Sequence, residues 1–400
     1  MLQEECKEKI LSEEYRDFMM RDTGALGKNF PLENGCRIPL KYGFELFYID
    51  QSEDRKKSLA DYPYTMVPKC YTTLDMAAIQ QAGIAAVQNI PGLELSGEGV
   101  LVGIIDTGIN YLDPIFRNLD GSTRIQRIWD QEEQSGTAPR EIGYGSEYTK
   151  EQINQAILSE NPKETVPSFD TDGHGTFVAS VACGGANPEN LFIGAAPEAE
   201  MVIVKLKEAK EYLREYYFVD RDAGCYQEND LVAAVFYLQK VQEELKRPLV
   251  ICLAVGTSFG GHGGYSILSE YLQNVAASEG IGIVTGSGNE ADKRHHYLGI
   301  LEQENNLPVE INVGNNTRGF VMELWTELPN LLALSIASPT GQTVGPISLK
   351  RGIGEYVFVF EQTRVIFNYR VLVETTGAQL AFFQFERPGS GIWKIIPETL

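Results

Sequence analysis

The chain has 400 residues, 43% hydrophobic and 10% aromatic, which is enough for a large globular domain with one or two smaller units. Its formal net charge is -21, from 55 acidic and 34 basic residues. A surface this acidic repels phosphate groups and anionic lipids, so we expect neither nucleic-acid binding nor electrostatic docking on membranes.

The amino terminus and the cysteines bear on the cellular compartment. The opening Met-Leu-Gln-Glu-Glu-Cys-Lys-Glu is charged and lacks the basic and apolar regions of a secretory signal. No apolar run approaches the roughly 18 to 20 residues of a membrane span. The six cysteines form no Cys-x-x-Cys pair and no cluster with metal-ligand spacing. We therefore expect a soluble cytoplasmic protein with free thiols and no disulfide framework.

Residues 1–95 form a leading segment of mixed, locally charged composition. A helix is predicted over 13–20, and an apolar alternation predicts a strand around 44–49. A flexible linker at 52–59 is a further hypothesis.

Residues 96–305 alternate between buried-strand and helix patterns. Four apolar runs predict strands at 100–105, 201–204, 249–253 and 281–284. Helical patterns between them lie at 230–245 and 266–278. This alternation predicts an α/β domain with a parallel sheet, helices on both faces, and a functional site at the carboxyl ends of the strands.

Residues 306–400 consist of short β-rich pieces separated by turn residues. The predicted strands are 309–313, 319–323, 331–336, 356–360, 363–373, 379–385 and 391–396. The pattern predicts an antiparallel β-sandwich of the jelly-roll-like kind.

Asp106 follows the first buried strand and precedes Thr107 and Gly108. Its carboxylate is therefore expected at the carboxyl end of that strand, where an acid that orients a catalytic imidazole can be held rigidly. Asp-Thr-Gly alone is weak evidence, because aspartic proteases and many turns also contain it.

His174 stands in the sequence Asp-Thr-Asp-Gly-His-Gly-Thr, which covers residues 170–176. Glycines flank the histidine at a predicted loop-to-helix junction, where a missing Cβ permits close approach of a substrate backbone. This context favours a catalytic histidine over a structural one.

Together these two stretches resemble the Asp and His signatures of the subtilisin-like serine proteases, or subtilases (peptidase family S8). The resemblance implies the subtilisin chain order of Asp, His and then Ser. It makes His174 the general base and Asp106 its orienting partner.

Further matches extend this resemblance from about residue 96 to residue 298. The loop 285–290, Thr-Gly-Ser-Gly-Asn-Glu, resembles the loop that carries the oxyanion-hole asparagine, which makes Asn289 the candidate donor. Ala254, Val255 and Gly256 fall where subtilases place a Ser-Leu-Gly strand that pairs with the substrate. Ala254 and Val255 replace the Ser and Leu of the family motif. This difference leaves backbone pairing with a substrate possible but changes the specificity pocket that the strand borders.

Three features resemble the clostridial Csp-type subtilases, which are linked to spore germination and include both proteases and pseudoproteases. They are Tyr297 after two histidines, the segment Ile-Trp-Asp-Gln at 128–131, and a sandwich inserted after the asparagine loop. This resemblance implies spore association as a second location.

The nucleophilic serine of the family is missing from the expected place. Ser258, in Gly-Thr-Ser, precedes the asparagine loop and is followed by a glycine-rich stretch instead of an Ala-rich helix. Ser390 precedes a β-like segment and is interpreted as a linker serine. The family resemblance places the nucleophile beyond the sandwich, so we expect residues 1–400 alone to be inactive, as a chain truncated before the catalytic serine.

The resemblance also bears on partners and cofactors. Residues 1–95 resemble a subtilase prodomain, which implies a contact with the catalytic domain in cis, and the expected substrate is a protein or peptide. Calcium steadies many subtilases, but no acidic cluster has the spacing of a calcium loop. No metal and no other cofactor is therefore assigned.

Three functions stay open at this point. The first is a serine endopeptidase, and the second is a non-catalytic pseudoprotease that binds or regulates, for example in spore germination. The third is a carbohydrate-binding sandwich attached to an inert domain.

Overall fold

The computed structural model describes residues 2–21, 35–54, 58–73, 84–88, 90, 95–187, 192–290, 292–301, 307–347, 352–373 and 376–399. Residues 55–57 of the hypothesised linker lie outside this set. Short 3-10 helices occur at Lys41–Gly43, Leu59–Asp61, Tyr64–Met66 and Pro114–Phe116.

The N-terminal unit begins with helix α1 (Leu2–Leu11) and continues into an antiparallel sheet. The elements are β1 (Tyr15–Arg21), β2 (Cys36–Pro39), β3 (Phe44–Asp50) and helix α2 (Gln51–Asp54). Strand β3 lies between β1 and β2, and it confirms the strand predicted at 44–49.

The helix predicted over 13–20 is wrong, because these residues form most of β1. Phe18 and Met20 pack into one apolar cluster, whereas Met19 packs into another. Alternate side chains of a strand point to opposite faces, so a strand buried on both faces shows a continuous apolar run without strand periodicity.

The prediction of no disulfide framework is also wrong. Cys6 of α1 and Cys36 of β2 form a disulfide, with their Cα atoms 5.4 Å apart. The two residues are 30 positions apart in sequence, so no spacing motif marks them, and only the packing of α1 beside β2 brings them together. The other four cysteines, Cys70, Cys183, Cys225 and Cys252, are free.

Two short elements, β4 (Cys70–Thr73) and α3 (Ile84–Gln88), precede the central domain. Its sheet contains β5 (Leu101–Asp106), β6 (Ile125–Asp130), β7 (Ser146–Thr149), β8 (Glu200–Lys205), β10 (Leu249–Leu253) and β12 (Ile281–Thr285). The strand order is β12-β10-β5-β8-β6-β7, and all neighbours are parallel except β6 and β7. The four predicted strands are confirmed, whereas β6 and β7 were missed because polar residues interrupt their apolar patterns.

Helices cover both faces of the central sheet, as predicted. Those that pack on it are α4 (Lys150–Leu158), α6 (His174–Cys183), α8 (Glu228–Leu245) and α9 (Ile267–Ala276). Helix α5 (Pro162–Thr165) packs on α4, and α7 (Glu211–Tyr216) packs with the N-terminal segment and the sandwich. Helix α6 packs with Val102 and Ile104 of β5, and α8 packs with Leu101 and Ile105, which point to the other face. At Gly103 a Cβ would lie 2.6 Å from Leu238, so only glycine lets α8 approach β5 this closely.

A third small sheet has the order β11-β4-β9, with β9 at Tyr226–Gln227 and β11 at Val255–Gly256. It joins the N-terminal segment to the central domain, because β4 pairs antiparallel with both of its neighbours.

The C-terminal residues form two antiparallel four-stranded sheets around a shared apolar cluster. Their strands are β13 (Val309–Val313), β14 (Gly319–Glu327), β15 (Leu332–Ala337), β16 (Thr343–Ile347), β17 (Ile353–Phe358), β18 (Thr363–Arg370), β19 (Ala378–Glu386) and β20 (Gly391–Thr399). The sheet orders are β13-β20-β15-β16 and β14-β19-β18-β17. The predicted strands are confirmed. Strand β16 was missed because it contains Gly345 and Pro346, two residue types that are unusual within strands.

The sandwich also contacts the rest of the molecule. Asn368 Nδ2 donates to the carbonyl of Ala60 at 2.6 Å, and Gln384 Nε2 donates to the carbonyl of Tyr216 at 2.9 Å. Among the described helices, none combines the length and apolar character needed to cross a bilayer.

Candidate active site

The structure brings Asp106 and His174 into direct contact. Asp106 is the last residue of the fully buried strand β5, and His174 is the first residue of α6. Nδ1 of His174 lies 2.7 Å from Oδ1 of Asp106, and the Asp106 side chain is 1% exposed. A buried carboxylate at this distance fixes the orientation of the imidazole and stabilises its protonated form.

Asp170 holds the loop that carries His174. Its Oδ1 accepts hydrogen bonds from Thr107 Oγ1 and Gly173 N, both at 2.8 Å. Its Oδ2 accepts bonds from the backbone N and the Oγ1 of Thr176, at 2.8 and 2.6 Å. One carboxylate therefore ties the end of β5 to the start of α6.

The start of α6 also lies directly against the loop after β5. A Cβ on Gly175 would lie 2.2 Å from the carbonyl oxygen of Gly108, and Gly175 N donates to Thr107 Oγ1 at 2.8 Å. Gly173, just before the helix, has φ 96°, which glycine adopts without strain. The glycines on either side of His174 are thus required by backbone geometry.

Asn289 lies in an exposed loop after β12, at the same edge of the sheet as Asp106. Strand β10 lies between β5 and β12, with Leu253 paired to Ile105 on one side and to Thr285 on the other. Because all three strands are parallel, their carboxyl ends meet at one edge.

Ala254, Val255 and Gly256 follow β10 directly. Ala254 is buried in the cluster that contains Val178 and Ala179 of α6. Val255 and Gly256 form β11 and pair with Thr73 and Thr72 of β4. The strand predicted to pair with a substrate therefore pairs with the N-terminal segment of the same chain.

A cavity of about 240 Å³ lies beside this small sheet. Tyr71, Val255, Leu268 and Thr285 are among its lining residues. The buried carboxylate of Glu228, at the start of α8, accepts hydrogen bonds from the backbone N of Lys69 at 3.2 Å and that of Leu268 at 3.3 Å.

Cys252 is the cysteine nearest in sequence to this edge of the sheet. Burial and, to a lesser extent, the nearby carboxylate of Asp106 together raise the pKa of its thiol to about 11. The thiol therefore stays protonated at neutral pH, where only a thiolate would act as a nucleophile.

The two serines that sequence analysis considered as nucleophiles lie in different parts of the fold. Ser258 is exposed, two residues after β11, and Ser390 lies between β19 and β20 of the sandwich. In the described ranges, no group of three or more His, Cys, Asp or Glu side chains could hold a metal ion.

Sequence analysis singled out Asp106 and His174, which the structure brings into contact, but not the residues around them. Asp170 is the first residue of the motif at 170–176, but sequence analysis gave it no role. It stands three residues before a glycine and six before a threonine, a spacing that is typical of a local turn and helix cap. Glu228 and β4 were missed, because their relation to the site depends on contacts far apart in sequence.

The chain is similar to known proteins in sequence and in fold. Residues 97–318 match the model of the subtilase family. The CspB protease of Clostridium perfringens superposes with a TM-score of 0.67 at 29% identity, covering 79% of this chain and 63% of that structure.

Two curated relatives have similar sequences. Subtilisin-like protease SBT2.2 of Arabidopsis thaliana is 33% identical over 102 residues, 23% of this chain and 12% of that protein. A subtilisin of Bacillus sp. (strain TA39) is 25% identical over 218 residues, 54% of this chain and 40% of that protein. The chain thus spans less than half the length of either curated relative. The family match extends over more than half of the chain, which therefore belongs to the subtilase family of serine proteases.

Proposed function

We propose that this chain is the scaffold of a subtilisin-like serine endopeptidase, with His174 as the general base and Asp106 as the residue that orients it. The observation that carries the proposal is the 2.7 Å contact between the two side chains at the carboxyl edge of the parallel sheet. Asp106 would hold the tautomer in which the other ring nitrogen faces the reacting hydroxyl.

Asn289 and the strand 254–256 complete the proposed machinery. Asn289 would donate to the oxyanion from the loop after β12, where removal of one such donor costs about 100- to 1,000-fold in turnover. The backbone of Val255 and Gly256 would pair with an extended peptide, as it pairs here with β4.

The strand β4 is proposed to act as a ligand of this site in cis, in the manner of a prodomain. It is supported by its antiparallel pairing with β11 on one side and β9 on the other. A substrate would have to replace β4 to reach both strands. This role would keep the site closed while the N-terminal segment stays in place.

No serine among residues 1–400 is proposed as the nucleophile. Ser258 lies beyond β11, and Ser390 lies in the sandwich. Acyl transfer would then need a serine contributed from outside residues 1–400, and the chain by itself would be inactive.

Replacing Asp106 tests the proposed role of the dyad. In the product of the complete reading frame, Asp106→Asn should lower kcat for a peptide substrate by about 10⁴-fold, because the imidazole loses its orienting acceptor. Asp120→Asn, at an exposed loop aspartate, is the matched control and should leave kcat unchanged. Full activity in Asp106→Asn would refute the dyad.

The second candidate is a non-catalytic binding role, and one observation favours it. Val284 of the edge strand β12 is exposed, and so are Tyr297, Leu298 and Ile300 in the following segment. Exposed apolar groups of this kind mark surfaces that bind other protein segments. A complete gene product that binds peptide but never hydrolyses it would favour this role.

A further inference from the structure

The side chain of Tyr71 is the part of β4 that enters the central domain. Tyr71 packs against the apolar cluster that contains Val255 and Leu268, and it lines the cavity beside β11. Its hydroxyl lies 3.5 Å from Oε1 of Glu228. The ring of Tyr71 thus packs against apolar side chains while its hydroxyl ends beside a buried carboxylate.

Glu228 depends on β4 for its hydrogen bonds. The side chain is buried, with 1% of the residue exposed. Among the described residues three groups donate to it: Lys69 N and Tyr71 OH belong to the N-terminal segment, and Leu268 N belongs to the central domain. A strand that leaves this sheet would remove two donors from a buried carboxylate.

Charge near the carboxylate also comes from the N-terminal segment. Burial raises the pKa of Glu228, and the ammonium group of Lys69 lowers it in part. That ammonium is itself held by the carbonyls of Tyr64 and Val67, both at 2.6 Å. Helix α8 begins at Glu228, so the positive end of its dipole further stabilises the ionised form.

We infer that Glu228 determines specificity at the place of Tyr71 and selects peptides whose side chain there ends in a hydrogen-bond donor, with tyrosine preferred over phenylalanine. The inference rests on the proposed function, in which a substrate strand takes the place of β4. A phenylalanine would pack against the same apolar cluster but leave Glu228 without this donor. A site that hydrogen-bonds a substrate hydroxyl discriminates strongly against the analogue that lacks this hydroxyl, because its own buried polar group is then left unpaired. A purely apolar pocket discriminates much less between ligands of similar size.

The first test uses the strand in cis and needs no catalysis. Hydrogen exchange is measured at the backbone amides of β4 and β11 in the full chain and in Tyr71→Phe. We expect exchange to be about tenfold faster in Tyr71→Phe, because the strand opens more often when Glu228 loses a partner. Tyr111→Phe, which removes a buried hydroxyl bound to Val166, is the matched control and should leave these amides unchanged.

A second variant assigns the effect to Glu228. In the Glu228→Leu background, which has no acceptor at this position, Tyr71→Phe should accelerate exchange by much less than it does with Glu228 present. An equal acceleration in both backgrounds would show that the hydroxyl acts elsewhere and would overturn the inference.

Binding in trans keeps the inference testable if Glu228→Leu fails to fold. Fluorescein-labelled Lys-Ser-Tyr-Thr-Thr and Lys-Ser-Phe-Thr-Thr are titrated against the Tyr71→Phe chain and followed by fluorescence anisotropy. The tyrosine peptide should bind about tenfold more tightly. Equal affinities, or no saturable binding of the tyrosine peptide, would overturn the inference, whereas failure of the proposed catalysis would appear only in the Asp106→Asn activity assay.

Discussion

At the scale of single residues, Asp170 shows how one carboxylate builds the site. Burial alone would raise its pKa, but hydrogen bonds from Thr176, Gly173 and Thr107 outweigh burial, so the net pKa lies below the ordinary value. The ionised form is therefore bound more strongly in the folded state. Its contribution to stability is present above the unfolded pKa of about 3.9 and is lost as the pH falls through the folded pKa.

Replacing Asp170 should therefore have a pH-dependent cost. Asp170→Asn is expected to lower the free energy of unfolding by about 1–3 kcal/mol at pH 6, and the difference from the wild type should shrink near pH 3. Urea unfolding at the two pH values measures this. Asp222→Asn, at an exposed position, should change little at either pH, and a pH-independent cost for Asp170→Asn would contradict the assignment.

At the scale of elements, Glu323 of β14 links three parts of the molecule. It accepts hydrogen bonds from Tyr64 OH at 2.7 Å, from Gly260 N at 2.8 Å and from Trp325 Nε1 at 3.0 Å. Tyr64 belongs to the N-terminal segment, and Gly260 follows the strand β11. The sandwich is thus fastened both to the segment that precedes β4 and to the loop beside the site.

Removing this carboxylate should loosen all three contacts. Glu323→Ala is expected to lower the free energy of unfolding by about 2–4 kcal/mol, because charge-assisted bonds are lost and their donors are left without partners. The control is Glu310→Ala, which removes an exposed pair with Lys394 on the same sandwich and should cost less than about 1 kcal/mol. Equal losses in urea unfolding would refute the linking role of Glu323.

The elements also show how far sequence reasoning reaches. Strands β5, β8, β10 and β12 were predictable because each is a compact apolar run, and Asp106 and His174 because their motifs are local. The strand β1 resembled a helix because both of its faces are buried. The disulfide of Cys6 with Cys36 and the pairing of β4 with β11 were beyond reach, because both depend on tertiary contacts between distant segments.

At the scale of the whole molecule, the net charge of -21 lowers the stability of the folded state, and added salt weakens this effect. Like charges spread over one compact body repel one another, and that repulsion falls when the chain expands. Raising the ionic strength from about 0.01 M to about 0.15 M shortens the screening length from about 30 to about 8 Å. The thermal midpoint should therefore rise over this range at neutral pH, and an unchanged or lower midpoint would show that local ion pairs outweigh the net charge.

We propose that Asp106 and His174 form a subtilase dyad for which residues 1–400 supply no nucleophile. A fluorophosphonate probe, which reacts with activated serines, tests this most directly on the purified 400-residue chain, with a known serine protease as the positive control. We expect no labelling of the folded chain beyond that of its His174→Ala variant. Labelling that mass spectrometry maps to Ser258 or any other serine of the chain, and that is lost in His174→Ala, would contradict it.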